Sequence, residues 1–377
     1  MRKKLFFTSA AMTFCLASGI ASERANSSEW QLSSPSREGL KPTAVNKLNK
    51  YVFKKNDKFK SDVLIVIKNG RIVSETYTNN YKMNQRHMLW SLSKSFSSVI
   101  AGVAVKLGFI SLDERVYKHY PQLNNHYGRN LTVRHILNMS SGFNWYEEHP
   151  QNILLSDSIY GLYSKLGAFS GAQYVLGLEH KYFPGRRFNY ASGDPNLLLD
   201  YIRRAIGDDH VYDRFIWDEL ADRIGMKSLV FNKDMSGTFL GSHGAWSTPR
   251  DYARIGQLML NNGNWNGAQI LPENWVEFST TIAPALYQAK SEKSVMRLNR
   301  EAYGAYWWLN KKLPINKTRP FPDAPSNVYA GMGFRGQTLA ILPDQDMVVL
   351  RLGSDGRKEN QKIDRKHLLK LIMETLK

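Results

Sequence analysis

Trp90-Ser91-Leu92-Ser93-Lys94-Ser95-Phe96 is the stretch on which the reading of this chain turns. Ser91 and Lys94 stand three residues apart, so at the start of a helix both side chains project from one face of the first turn. A serine hydroxyl is a weak nucleophile at neutral pH and needs a neighbouring base. An amine one turn away can be that base when burial and neighbours lower its pKa. The same helix start offers free backbone N–H groups that can stabilise an oxyanion. Ser95 to Val105 then runs small and apolar, which suits a helix buried in the middle of a domain. The competing reading is a capping serine followed by a solvated lysine. This is the only S-x-x-K in the chain, and an apolar helix follows it, so the partners must be sought elsewhere in the sequence.

At 377 residues, with 42% hydrophobic and 22% charged residues, the chain can bury a large core. Its 19 Tyr and 9 Trp suit an aromatic-lined cleft as well as a core. At the N-terminus, Arg2-Lys3-Lys4 precede the apolar run Leu5 to Leu16, and small residues follow at Gly19 and Ala21. This is the layout of a signal peptide over residues 1–21, with a retained anchor as the alternative. It points to a periplasmic or secreted bacterial protein. The single cysteine, Cys15, falls inside that segment, so the mature chain has no disulfide, thiol nucleophile or thiolate metal site. No metal or other cofactor is expected, because the nine His form no H-E-x-x-H. The formal charge is +18, but Lys and Arg are scattered, without a nucleic-acid-binding motif, and export argues against a nucleic-acid partner. A loose electrostatic association with an anionic cell envelope fits that charge, as does a solvated basic surface.

Working outward from Ser91, residues 22–40 read as a flexible leader and Lys41 to Lys54 as an amphipathic helix. Val63 to Ile67 and Ile72 to Tyr77 flank Asn69-Gly70, a strong hairpin signal. Leu131 to Met139 reads as a helix stopped at Gly142; His135 lies on it and is weighed as a base but fits a structural role better. Leu197 to Ile206 and Pro249 to Asn261 read as further helices. Thr338 to Pro343 and Met347 to Leu352 form a second hairpin, and Lys362 to Leu376 a basic amphipathic helix. Strands and a helix at both ends, with helices between, predict an α+β fold. One antiparallel sheet is built from both chain ends in an α/β sandwich, and an all-helical lobe is inserted. The expected layout is a single catalytic domain over 41–377, its sheet lobe about 41–90 and 240–377 and its helical lobe about 91–239.

Two more stretches supply partners. Phe183-Pro184-Gly185 makes a turn before Tyr190-Ala191-Ser192, where Tyr190 and Ser192 share a side if the segment is extended. A buried tyrosine near a lysine can shuttle protons, since the cation favours phenolate. Ala330-Gly331-Met332-Gly333-Phe334-Arg335-Gly336-Gln337 leads into a strand, and its glycines let backbone approach a ligand closely. Nucleophile motif, Y-x-S loop and glycine-rich strand, in that order, resemble the penicillin-recognising serine hydrolases. These include the class C β-lactamases, the D-Ala-D-Ala carboxypeptidases and related esterases and amidases. Leu131 to Gly142 and Ser247 to Gly256 are similar to secondary hallmarks of that superfamily, and the resemblance runs over roughly residues 40–375. Within it, Tyr190-Ala191-Ser192 and the Gly333 to Gln337 ending look nearest the 6-aminohexanoate-dimer hydrolase-like group.

The resemblance implies a β-lactamase/DD-peptidase-like fold and an acyl-enzyme on Ser91. Lys94 would take the serine proton and Tyr190 would relay it to the leaving group. The backbone N–H groups of Ser91 and Phe334 would hold the oxyanion, and Ser192, Gly333 and Arg335 would contact substrate. Ser192 stands where class C enzymes carry Asn. β-Lactamases and carboxypeptidases place Lys-Thr-Gly or His-Thr-Gly on the third strand to bind a carboxylate. Here that position holds Gly331-Met332-Gly333, with Arg335 nearby. The expected reaction is therefore hydrolysis of a small amide or ester, or of a peptide-like substrate. A DD-carboxypeptidase, a class C β-lactamase and a non-catalytic envelope-binding protein on the same fold are the alternatives.

Overall fold

The computed structural model describes residues 29–54, 59–78, 80–148, 153–163, 169–289, 301–316 and 318–376. The expected signal peptide, with Cys15, lies outside them, as do parts of the segments 143–182 and 280–330. Among the described residues no helix is long and apolar enough to cross a membrane.

In chain order the strands are β1 (Ser61–Lys68), β2 (Arg71–Tyr77), β3 (His87–Met88), β4 (Val230–Phe231), β5 (Ala245–Ser247), β6 (Asn264–Trp265) and β7 (Ala268–Gln269). β8 (Trp308–Leu309), β9 (Tyr329–Met332), β10 (Thr338–Leu342) and β11 (Met347–Gly353) follow. Six of them form the main antiparallel sheet in the order β2-β1-β11-β10-β9-β8. The N-terminal hairpin therefore pairs directly with the C-terminal one, Ile65 opposite Leu350. Asn69 and Gly70 both take positive φ, 52° and 72°, as a tight turn between right-twisted strands requires. The sheet is built from both chain ends.

The strands read as continuous apolar runs because both faces of the sheet are covered. Val63, Ile65, Ile67, Val348, Leu350 and Leu352 face the large core shared with the helical part of the chain. Leu64, Val66, Met347 and Val349 face a second core closed by the helices Pro42–Val52 and Arg365–Glu374. Residues 29–40 depart from the expected leader. Leu32 bridges Ile72, Trp30 Nε1 donates to the Arg250 carbonyl at 2.9 Å, and Leu40 is wholly buried and bridges Leu376 after the last helix. The outer edge of β2 would otherwise leave backbone groups unpaired. Ser33 N donates to the Ile72 carbonyl and Ile72 N to the Gln31 carbonyl, each at 3.0 Å, and the segment is held.

On the opposite face lies the helix Leu92–Lys106, buried continuously from Leu92 to Ala104. Ser93, Ser95 and Ser97 on it are not exposed polar residues but internal partners. Ser95 Oγ donates to the Tyr306 carbonyl (2.6 Å) and Ser97 Oγ to the Gly241 carbonyl (2.8 Å), while Ser93 Oγ accepts from Ala245 N (3.2 Å). Small side chains let neighbouring backbone come close, and each hydroxyl then satisfies a group that burial would otherwise strand. The three-stranded sheet β3-β5-β4 fixes the approach to this helix. Leu89 N donates to the Ala245 carbonyl two residues before Ser91.

Candidate active site

Trp90 adopts a left-handed backbone, φ 52°, immediately ahead of Ser91. A bulky residue held there carries strain of about 1 kcal/mol or more, and such outliers concentrate at functional sites. Ser91 then sits in helical geometry at the N-cap position, and its hydroxyl makes no capping hydrogen bond. The capping-serine reading does not describe it. What the hydroxyl meets instead is Lys94, whose Nζ lies 3.1 Å from Ser91 Oγ.

Lys94 is fully buried, and burial pushes its ammonium down to about 8, with the Glu147 charge acting in the opposite direction. Its Nζ also lies 2.9 Å from Ser192 Oγ and 3.5 Å from the Ser242 carbonyl. The centre of the Tyr190 ring is 4.8 Å from Nζ. Tyr190 is itself buried, packed at 5.5 Å against Trp308 and edge-on at 5.7 Å to Tyr303. Burial and then Glu147 raise its phenol, while a hydrogen bond with Ser91 opposes them. Desolvation is the largest influence on Tyr190 and favours its phenol form.

Ser192, expected to contact substrate, has its hydroxyl engaged within the protein. It precedes the helix Gly193–Ile206 in helical geometry and makes no side-chain cap there. Ser192 Oγ donates to Glu147 Oε1 at 2.6 Å, and Ser192 N donates to Glu147 Oε2 at 2.7 Å. Trp145 Nε1 donates to the same Oε2 at 2.8 Å, and Lys94 Nζ stands 3.9 Å from Oε1. Nothing in the sequence singles out Glu147, which comes from an irregular segment with no spacing to mark it. The one available handle is physical: a buried lysine calls for a nearby anion.

Gly331 and Gly333 serve packing. A Cβ on Gly331 would fall on Leu92 Cδ1, and one on Gly333 on the Leu89 carbonyl oxygen, both well inside van der Waals contact. The missing side chains let β9 press against the helix Leu92–Lys106 and the turn before it. Gly331→Ala is accordingly expected to lower stability by about 1–3 kcal/mol through overpacking. Denaturant unfolding checks this, and an unchanged midpoint would contradict the close approach. Phe334 follows, 39% exposed, its ring edge-on to Trp90 at 5.4 Å. Among the described residues nothing accepts from the backbone N–H of Ser91 or of Phe334, so both donors are free to meet a developing oxyanion. Arg335 is left-handed (φ 62°), and its carbonyl accepts from Asp355 N; its guanidinium has no partner among the described residues. His135 has a structural role: Thr132 and His135 form a reciprocal capping box at the helix Val133–Leu137. That helix stops at Leu137, short of the expected Met139, and Met139 itself turns left-handed, φ 51°.

A serine at the head of a buried helix, with a lysine and a phenol converging on it beside an antiparallel sheet, puts the chain in the class of α+β serine hydrolases. Comparison with known proteins makes this specific. The Beta-lactamase family model matches residues 48–372, and the chain belongs to that family. It is 24% identical over 302 residues to the 6-aminohexanoate-dimer hydrolase of Paenarthrobacter ureafaciens, covering 78% of this chain and 72% of that one. In structure it is similar to a family VIII carboxylesterase (TM-score 0.66, 13% identity, 92% and 98% of the two chains). It is also similar to a class C β-lactamase (TM-score 0.60, 17% identity, 89% and 96%).

Proposed function

We propose that this protein is an exported serine hydrolase that cleaves a small amide or ester through an acyl-enzyme on Ser91. The observation that carries the reading is the buried Lys94 amine 3.1 Å from the Ser91 hydroxyl, with burial bringing that amine down to about 8. Neutral Lys94 takes the proton as Ser91 Oγ attacks the carbonyl carbon. The oxyanion is held by the Ser91 and Phe334 N–H groups. Collapse expels the leaving group, which takes a proton from Tyr190, itself resupplied from Lys94. Water then attacks the acyl-enzyme with the same groups acting in reverse, releasing acid and free Ser91.

The substrate class follows from β9. That strand reads Tyr329-Ala330-Gly331-Met332 and carries no cation. Met332, half-buried, stands in the Gly331-Met332-Gly333 run where β-lactamases and carboxypeptidases are expected to place theirs. A substrate without an obligatory carboxylate at this spot is favoured over a D-Ala-D-Ala peptide or a β-lactam.

The test is intact-protein mass after incubation with a p-nitrophenyl ester and, separately, with a penicillin. An adduct with the ester and little with penicillin is expected. A lasting penicillin adduct would move the reading to a penicillin-binding protein, and no adduct with either would move it to a binding protein on this fold. The ester burst carries a pH prediction. Only the neutral amine can accept the Ser91 proton, so the acylation rate is expected to climb as pH rises through about 8. A rate flat across that range would remove Lys94 as the base. Export rests on the layout of residues 1–21, and cell fractionation tests it.

A further inference from the structure

We infer that Glu147 is a positioning residue whose carboxylate fixes the direction of the Ser192–Lys94 hydrogen bond and so aims the Lys94 lone pair at Ser91. The inference rests on the proposed hydrolase reading and deepens it. Ser192 has one hydroxyl proton. A carboxylate oxygen can only accept, so at 2.6 Å from Glu147 Oε1 that proton points to Glu147. The remaining lone pairs of Ser192 Oγ can then only accept, and the group facing them at 2.9 Å is Lys94 Nζ. A neutral lysine amine has two N–H donors and one lone pair. Its donors are taken up by Ser192 Oγ and the Ser242 carbonyl, at 2.9 and 3.5 Å. The lone pair is left for the third neighbour, the Ser91 hydroxyl at 3.1 Å.

Glu147 is itself held for this task. Trp145 Nε1 and Ser192 N both donate to Oε2, at 2.8 and 2.7 Å, so the carboxylate cannot rotate without losing two bonds. The other titratable groups around Lys94 do not compete for the role. Tyr190 is a raised phenol, and burial pushes the His243 imidazole down to about 4. Asp194, close enough to feel Glu147, is pushed by burial up to about 8 and accepts from Ser141 Oγ at 2.7 Å instead. With glutamine at 147, an amide N–H could face Ser192 Oγ. Ser192 would then be free to donate to the Lys94 lone pair and compete with Ser91 for it.

The experiment measures the rate of Ser91 acylation by p-nitrophenyl acetate, and of labelling by a fluorophosphonate, as a function of pH. Wild type, E147Q, S192A and the double variant are compared, with Ser91→Ala as control and thermal melting as the check on folding. E147Q is expected to slow acylation by about 10²-fold with little change in KM, the scale of a misaligned general base. Its acid limb should also move to lower pH, because the charge that raises Lys94 is gone. S192A should lose a similar factor while its acid limb stays in place, since Glu147 remains. The double variant should be no slower than E147Q alone, because the two residues act through one contact. A purely structural role would make the losses additive. Wild-type rates in S192A overturn the inference, and they do so even if E147Q fails to fold. Absence of any Ser91 adduct on wild type overturns the hydrolase reading and this inference with it. An adduct on wild type with indifferent variants overturns this inference alone.

Discussion

Ser91→Ala is expected to cut turnover of an activated ester by about 10⁴-fold or more, the scale seen when the nucleophile of a coupled catalytic unit is removed. It should do so without loosening the fold. The Ser91 hydroxyl makes no capping hydrogen bond, so its removal takes nothing from the helix Leu92–Lys106. A change of about 1 kcal/mol or less is the expectation, because the substitution gives up the contacts with Lys94 and Tyr190 but breaks no packing. Lys94 keeps Ser192 Oγ and the Ser242 carbonyl as partners when Ser91 Oγ is gone. Steady-state ester hydrolysis, intact mass and thermal melting together make the check. Activity above about one per cent of wild type, with an unchanged melt, would place the nucleophile elsewhere, because an intact oxyanion site alone leaves far less.

Legibility in the sequence follows the range of the physical signal. Asn69-Gly70 between two β-rich runs is a local signal, and the hairpin stands there. The paired ends of the sheet are legible because apolar runs at both termini need one another. Ser91 and Lys94 are legible because one helical turn relates them. Tyr190 is legible only beside Ser91 and Lys94 and through the resemblance, since nothing within its own segment says that it packs against Trp308 and beside Lys94. Glu147 is not legible at all: its partners come from Trp145, Ser192 and Lys94, and no sequence period connects them. The direction of the Tyr190 shift is equally out of reach. A lysine beside a tyrosine suggests phenolate, and only the depth of burial shows that the phenol prevails. Residues 29–40 hide their structure for a related reason. A polar, serine-rich segment reads as loose, but an open strand edge gives its backbone a partner.

Arg351→Leu is expected to be the most destabilising single change outside the catalytic cleft. Arg351 interrupts an otherwise apolar strand, β11, and both it and Asp355 are wholly buried. Its guanidinium donates to Asp355 at 2.6 and 3.1 Å, to Ser61 Oγ at 2.8 and 3.0 Å, to the Lys60 carbonyl at 2.9 Å and to the Gly336 carbonyl at 3.0 Å. Asp355 in turn accepts from Lys60 N at 3.1 Å and Ile363 N at 3.0 Å. Leucine would fill much of the space but leave a buried carboxylate without its counter-charge, while the Lys60 and Gly336 carbonyls keep Ser354 N and Thr338 Oγ1 as donors. Loss of one partner of a buried pair costs about 3–5 kcal/mol. For a chain of this size that is a fall in Tm of roughly 4–7 °C, taking the usual unfolding entropy per residue. Arg351→Leu with Asp355→Leu should cost less than the two single changes added together, because the second removes the charge the first stranded. The pair also reaches the cleft: Gly336 closes the turn that carries Phe334, so the single variant should lose Ser91 labelling rate as well as stability. A single variant within about 1 kcal/mol of wild type, or a double variant as unstable as the sum, would mean that the cluster is held by its neighbours and not by the ion pair.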